Sequence, residues 1–134
     1  EIRGPSFKGS LRGGDKTLFR FEAGNSRVTR LVITEGPIDA LSVAAREGIR
    51  SDTLYAATGG GMGPRTIDAL AGACDALRDV PGARVESAVD ANRAGDRYAE
   101  RHAEIAHAAG VPYVRLRPPE GLDWNEVLKR EATI

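Results

Sequence analysis

Four short apolar runs alternate with helical segments along most of the chain, and this alternation limits the possible folds more than any other feature. The runs read TRLVIT, DTLYAAT, ARVESAVD and PYVRLR, and a segment with helical spacing follows each of them. Pro37 and Pro64 stand where the first turns of two helices would begin. Short buried strands separated by helices form right-handed βαβ units. The pattern therefore predicts an α/β fold, with a mostly parallel sheet covered by helices on both faces.

The first 28 residues differ from this pattern because they are rich in Gly, Ser and basic residues. One apolar–polar alternation, at residues 18–21, indicates a short edge strand or hairpin. We therefore expect an N-terminal extension over residues 1–28 and a single domain over residues 29–134. The chain starts on Glu1 and stops in a helical pattern, so we interpret it as a fragment of a longer protein.

The composition limits the partners of the chain. Lys+Arg and Asp+Glu both number 19, so the formal net charge is zero. A domain that grips nucleic acid alone usually carries a basic excess, so other domains should supply the main grip on DNA. Cys74 is the only cysteine, which argues against a disulfide framework or a zinc cluster and favours the cytoplasm. No apolar run has the length of a membrane span, so we expect no membrane partner.

Acidic residues follow three of the four apolar runs. They are Glu35 and Asp39 after the first run, Asp90 after the third, and Asp123 and Glu126 after the fourth. Each acid alone could be a turn residue or a helix cap. Together at the carboxyl edge of a parallel sheet, where ligands bind, they would repel one another unless a cation lay between them. One or two carboxylates with phosphates and water are the usual ligands of Mg²⁺, so the pattern predicts a magnesium site.

The glycine-rich loop ATGGGMGPRT after the second run has two interpretations. Glycines and a following helix N-terminus could bind the phosphates of a nucleotide, or the loop could be a tight crossover between strand and helix. The residues that would contact phosphate are Gly59, Gly60, Gly61, Gly63, Arg65 and Arg93. The loop lacks the G-x-G-x-x-G spacing, so a dinucleotide-binding fold is not indicated.

Nucleophilic catalysis is not indicated by any spacing in the chain. No Ser–His–Asp or Cys–His arrangement is suggested, and His102 is interpreted as half-buried packing on the longest helix. The three tyrosines lie inside predicted strands or a helix, so a covalent tyrosine of the topoisomerase type is not expected.

Three motifs in order, LVITEGPIDALS, AVDANRAGD and LDWNEVL, resemble the Toprim domain. That domain is shared by bacterial replicative primases, topoisomerases, OLD-type nucleases and recombination-repair proteins. The chain is most similar to the Toprim proteins of plasmids and phages, including those fused to relaxases or mobilisation proteins. The resemblance extends over roughly residues 7–130. It implies a Rossmann-like Toprim fold, with about four central parallel strands flanked by helices.

The resemblance also implies roles for individual residues. Glu35 matches the general acid/base of the family, while Asp90, Asn92, Asp123 and Asp39 match positions of the site for Mg²⁺, with Mn²⁺ as a substitute. Asn125 and Glu126 would support that site. Asn92 stands where the family has a second Asp, and the missing negative charge should weaken metal binding until the phosphates of a nucleotide complete the site.

The function that these observations predict is magnesium-dependent nucleotidyl transfer by a primase-like domain of a plasmid or phage DNA-processing protein. Its partners would be nucleotides and single-stranded DNA in the cytoplasm. Two alternatives stay open: a Toprim nuclease that cleaves phosphodiesters at the same site, and a catalytically retired Toprim that acts as a binding or scaffold module.

Overall fold

A single five-stranded sheet organises the chain. The structure is a computed structural model that describes residues 18–24, 27–60 and 62–132. Within these residues the strands are β1 Phe19–Glu22, β2 Arg30–Thr34, β3 Thr53–Ala57, β4 Arg84–Ser87 and β5 Tyr113–Arg115. The helices are α1 Pro37–Glu47, α2 Pro64–Asp75, α3 Arg93–Ala108 and α4 Trp124–Ala132. The sheet order is β1-β3-β2-β4-β5, with only β1 antiparallel to its neighbour. The predicted α/β fold with four parallel strands is confirmed.

Apolar layers cover both faces of the sheet. All five residues of the central strand β2 are buried, and neighbouring residues of a strand point to opposite faces. Leu31 and Ile33 pack with Leu70 of α2 and Ala106 of α3, whereas Val32 packs on the other face against α1 and α4. This two-sided burial explains why the run TRLVIT is continuously apolar rather than alternating.

Each of the four parallel strands is shorter than the apolar run that predicted it, and the difference is largest for the third and fourth runs. The run over residues 83–90 forms β4 only as far as Ser87, and the run over 112–117 forms β5 only as far as Arg115. The ladder between β2 and β4 ends with Ile33 opposite Ser87, because β2 ends one residue later and the chain then turns into α1. Asp90 therefore lies three residues beyond its strand, in a loop that no strand pairing holds.

The N-terminal extension is described only in part. The predicted edge strand is β1, which pairs with β3 along one edge of the sheet. Residues 1–17 and 25–26 lie outside the described residues, so the boundary at residue 28 stays a prediction. Within the described residues, no helix combines the length and the apolar character needed to cross a membrane.

Candidate functional site

The carboxyl ends of β2 and β4 bring the predicted acids together. Glu35 directly follows β2, and Asp90 lies in the loop after β4. The backbone N–H of Asp90 donates a hydrogen bond to Oε2 of Glu35 at 3.2 Å. Asp39 lies in the first turn of α1, and α1 packs against α4, which Asp123 precedes. The parallel pairing of β2 and β4 is the reason that residues 55 positions apart meet at this edge.

Excess negative charge is the main electrostatic feature of this edge. Burial raises the pKa of Asp90 to about 6, and the neighbouring charges of Glu35, Asp39, Asp123 and Glu126 act in the same direction. Burial, followed by the charge of Asp123, raises the pKa of Asp39 to about 6 as well, although a backbone hydrogen bond from Asn125 opposes this rise. Among the described residues, no Lys or Arg forms an ion pair with either carboxylate.

Asp123 and Glu126 also form the N-terminal cap of α4. The backbone N–H of Glu126 donates to Oδ1 of Asp123 at 2.8 Å, and the backbone N–H of Asp123 donates to Oε1 of Glu126 at 3.0 Å. This reciprocal pair is a capping box. A carboxylate accepts several hydrogen bonds or metal contacts at once, so capping through Oδ1 leaves other acceptor sites of Asp123 available. Asn125 is the other predicted supporting residue. Its Oδ1 accepts a hydrogen bond from the hydroxyl of Ser42 in α1 at 3.4 Å.

Asn92 is the N-cap of α3. Its Oδ1 accepts a hydrogen bond from the backbone N–H of Gly95 at 2.8 Å, and the residue is exposed. The sequence predicted a metal ligand here and did not foresee the cap. An amide oxygen has two lone pairs, so the cap occupies one and leaves the other for a cation. The role of Asn92 as a metal ligand stays a prediction.

The main chain of Asp90 is held by two residues that the sequence analysis missed. Arg115 donates from Nη2 to the carbonyl oxygen of Asp90 at 2.7 Å. Gly95 packs so closely on the same carbonyl that a Cβ at this position would lie 1.9 Å from the oxygen. The glycine of DANRAGD was a visible signal, because a glycine inside a helical pattern often marks a close approach of two backbone segments. No local signal points to Arg115, since its contact depends on the pairing of β4 and β5.

The glycine loop is tied to the acidic edge. The N–H of Gly59 donates to the carbonyl of Glu35 at 2.7 Å, and the hydroxyl of Tyr98 donates to the carbonyl of Gly60 at 3.1 Å. Gly59 and Gly60 have φ values of 77° and 82°, which other residues adopt only with strain. Gly63 is the N-cap of α2 and makes no side-chain cap hydrogen bond.

The remaining predicted phosphate-binding residues are placed only in part. Arg65 and Arg93 lie exposed in the first turns of α2 and α3. Gly61 lies outside the described residues. The positive φ values of Gly59 and Gly60 explain why glycine stands at these two positions. A phosphate-binding role for the loop stays a prediction.

The oxygen donors at this edge fit a hard divalent cation that keeps an open coordination sphere. Among the residues that the structure describes, no three Asp, Glu, His or Cys side chains form a group that could hold a metal ion by themselves. Mg²⁺ usually takes only one or two protein carboxylates and completes its six ligands with water and substrate phosphates. Asp90 and Asp39 supply such carboxylates, and the negative charge around them disfavours leaving both ionised without a cation.

Comparison with known proteins agrees with the predicted family and fold. The family model described as Toprim-like matches residues 32–128. The crystal structure of the primase fragment of the bacteriophage T7 primase-helicase protein is similar over 88% of this chain, with a TM-score of 0.54 and 20% sequence identity. The chain spans 47% of that fragment, and at this identity the similarity concerns the fold. The search of curated proteins found no match. The chain belongs to the Toprim-like family.

Proposed function

We propose that this domain carries out magnesium-dependent nucleotidyl transfer of the primase type. The observation that carries the proposal is the acidic edge, where Asp39 and Asp90 both have a pKa of about 6 and no cationic partner among the described residues. Membership of the Toprim-like family and the fold shared with a phage primase fragment support this proposal.

Asp90 and Asp39 would hold the cation, with Asp123 and the free lone pair of Asn92 completing the protein ligands. Bound Mg²⁺ supplies neutralisation of the charge that develops on the phosphates during transfer. Asn92 contributes no charge, so the isolated domain should bind Mg²⁺ weakly, and the phosphates of a nucleotide should strengthen the binding.

Glu35 is suited to move the proton. Its Oε2 accepts a hydrogen bond from the N–H of Asp90, which fixes the carboxylate at the edge and leaves Oε1 to take a proton. In the proposed step, a 3′-hydroxyl loses its proton to Glu35, its oxygen bonds to the α-phosphorus of a nucleoside triphosphate, and pyrophosphate leaves. A positioned general base contributes roughly 10²–10⁴-fold to such a step.

The nucleotide phosphates would lie between the glycine loop and the first turn of α3. The N–H groups at the start of α2, with Arg65 and Arg93 in the first turns of α2 and α3, are donors that suit phosphate oxygens. Because its formal net charge is zero, this domain should bind single-stranded DNA only weakly by itself. Other domains of a plasmid or phage DNA-processing protein would then hold the DNA in the cytoplasm.

The test compares nucleotide incorporation on a single-stranded DNA template with nuclease activity, using the full-length protein and Mg²⁺. Glu35→Gln should reduce incorporation about a hundredfold or more without changing the melting temperature. Glu104→Gln removes an exposed carboxylate on α3 and is the matched control, with no expected effect.

Two other results of these assays would support the alternative functions. Template-independent cleavage that Glu35→Gln abolishes would replace the proposal with a Toprim nuclease. Neither activity in the full-length protein, with Mg²⁺ and nucleotides present, would favour a binding or scaffold module.

A further inference from the structure

Arg115 contacts the acidic edge from its outer side. It is the last residue of β5, opposite Ser87 of β4, and its side chain is 20% exposed. Nη2 donates to the carbonyl oxygen of Asp90 at 2.7 Å, and Nη1 donates to Oδ1 of Asp96 at 2.6 Å. One rigid guanidinium therefore joins the loop after β4 to the first turn of α3.

The charge of Arg115 is directed to Asp96 and not to the carboxylate of Asp90. The hydrogen bond from Arg115 is the largest cause of the lowered pKa of Asp96. The pKa of Asp90 is instead raised, and burial and neighbouring acids account for this rise. An arginine paired directly with the Asp90 carboxylate would compete with a cation for the same oxygens. The observed arrangement holds the backbone of Asp90 and leaves its carboxylate open.

The loop at Asp90 needs such a support because the sheet does not provide it. The last ladder bond of β4 on the β2 side is from Ala88 N–H to the carbonyl of Ile33. Beyond that point, the N–H of Asp90 is bound by Glu35 and its carbonyl by Arg115, while Gly95 packs against the same carbonyl. Both polar groups of this peptide segment are thus bound to side chains that come from other elements.

We propose that Arg115 is a positioning residue of the cation site, which fixes the main chain of Asp90 while Asp96 orients and neutralises its guanidinium. The proposal rests on the proposed function, since it takes Asp90 as a ligand of the cation. Arg115 contacts neither substrate nor cation and acts through Asp90.

Whether removal of Arg115 weakens or tightens cation binding distinguishes a positioning role from a purely electrostatic one. Arg115 is a positive charge near a cation site, so its removal should tighten cation binding if charge alone matters. If Arg115 positions Asp90, its removal should weaken cation binding. Arg117 is the matched control, because it lies 3.7 Å from the same Asp96 carboxylate, pairs with Glu120 at 2.8 Å, and makes no hydrogen bond to Asp90.

The experiment measures Mn²⁺ binding by paramagnetic resonance in the full chain, with the melting temperature recorded for every variant. Arg115→Gln should weaken Mn²⁺ binding about fivefold, the scale of losing one positioned hydrogen bond. Arg117→Gln should leave the affinity unchanged or raise it. Equal or tighter binding in Arg115→Gln, in line with Arg117→Gln, would overturn the proposal.

Arg115→Lys keeps the charge and covers the case in which Arg115→Gln fails to fold. A lysine ammonium lacks the planar fork that reaches both the Asp90 carbonyl and Asp96, so we expect binding about twofold to threefold weaker than in the wild type. Wild-type affinity in the lysine variant would show that the bridging geometry of the guanidinium is not needed and would overturn the positioning role.

Asp90→Ala, measured in the same series, distinguishes failure of this proposal from failure of the proposed function. If Asp90→Ala leaves Mn²⁺ binding intact, Asp90 is not a ligand and both proposals are wrong at this site. If Asp90→Ala weakens binding and Arg115→Gln does not, only the positioning role of Arg115 is overturned.

Discussion

The two ends of the sheet differ in whether their carboxylates are paired with arginines. At the amino ends of the parallel strands, Arg30 is 2% exposed and contacts Glu47 of α1 and Glu86 of β4, each at 2.8 Å. Arg84 contacts Glu86 as well. Burial acts to raise the pKa of Glu86, but hydrogen bonds from Arg30 and Arg84 outweigh it and hold the pKa below its usual range. Each of these glutamates has a cation beside it.

At the carboxyl ends of the same strands, none of the described Lys or Arg side chains forms an ion pair with Asp39 or Asp90. Asp39 and Asp90 have pKa values of about 6, and Arg115 donates a hydrogen bond to the carbonyl of Asp90 and not to its carboxylate. Within the described part of the chain, arginines neutralise glutamates at one end of the sheet, and Asp39 and Asp90 are left without a basic partner at the other, although the formal net charge is zero. Within the described residues, this difference supports the proposal that an external cation binds at the carboxyl end.

The largest effect is expected from removing the cation at the amino end. Arg30→Met should lower the free energy of unfolding by about 3–5 kcal/mol, because Glu47 and Glu86 would lose their buried partner. Urea denaturation measures this change. Arg101→Met, which breaks the exposed pair with Glu104, should cost less than about 1 kcal/mol. Similar small losses in both variants would mean that the amino end is not a compensated network.

Gly95→Ala should lower the free energy of unfolding by about 1–3 kcal/mol, because the added Cβ would lie 1.9 Å from the carbonyl oxygen of Asp90. The acidic edge would shift with the loop, so Mg²⁺ binding should weaken in the same variant. Gly72→Ala on α2 is the control, because a Cβ there meets nothing within 4 Å, and it should stabilise the fold by about 0.5–1 kcal/mol. Calorimetric melting of both variants checks the contrast, and a harmless Gly95→Ala would contradict the packing described for this loop.

Replacing Asp39 and Asp90 with asparagine should stabilise the protein at neutral pH in the absence of Mg²⁺. A raised folded-state pKa gives stability that is fully present below the ordinary value of 3.8 and is lost as the pH rises through about 6. The double variant Asp39→Asn/Asp90→Asn should therefore melt a few degrees above the wild type at neutral pH without Mg²⁺, and this difference should disappear near pH 4. Asp68→Asn on α2 controls for the loss of an exposed charge. A difference that does not vary with pH would rule out the electrostatic explanation.

Asn92→Asp should give the smallest change in stability and a clear change in metal binding. Aspartate caps a helix as well as asparagine does, so α3 should keep its N-cap. The added negative charge should tighten Mg²⁺ binding about tenfold, which isothermal titration measures. Asn92→Ser keeps a cap without the charge and should not tighten binding. Equal affinities in all three proteins would place the cation away from Asn92.

The sequence predicted what depends on local periodicity and on strand direction. The apolar runs and the first-turn prolines at Pro37 and Pro64 predicted the order of strands and helices, because burial and helix starts are local properties. The meeting of Glu35 and Asp90 followed from parallel pairing, since the carboxyl ends of neighbouring strands share one edge.

Contacts that depend on tertiary pairing could not be predicted in the same way. Arg30 is buried between two glutamates, and no pattern around it distinguishes it from a surface arginine. His102 was expected to be half-buried, and it is fully buried with Nδ1 2.6 Å from the hydroxyl of Ser87. Burial lowers its pKa to about 4. The bridge from Arg115 to Asp90 likewise requires knowledge of which strands are neighbours.

The claim that the carboxyl end awaits a cation is tested most directly by nuclear magnetic resonance titration of the side-chain carboxyl carbons of Asp39 and Asp90. Without metal, both carboxyls should titrate with a pKa of about 6. With Mg²⁺ in excess, both pKa values should fall, because the cation favours the ionised form. Two pKa values near the ordinary 3.8, unchanged by Mg²⁺, would contradict the claim.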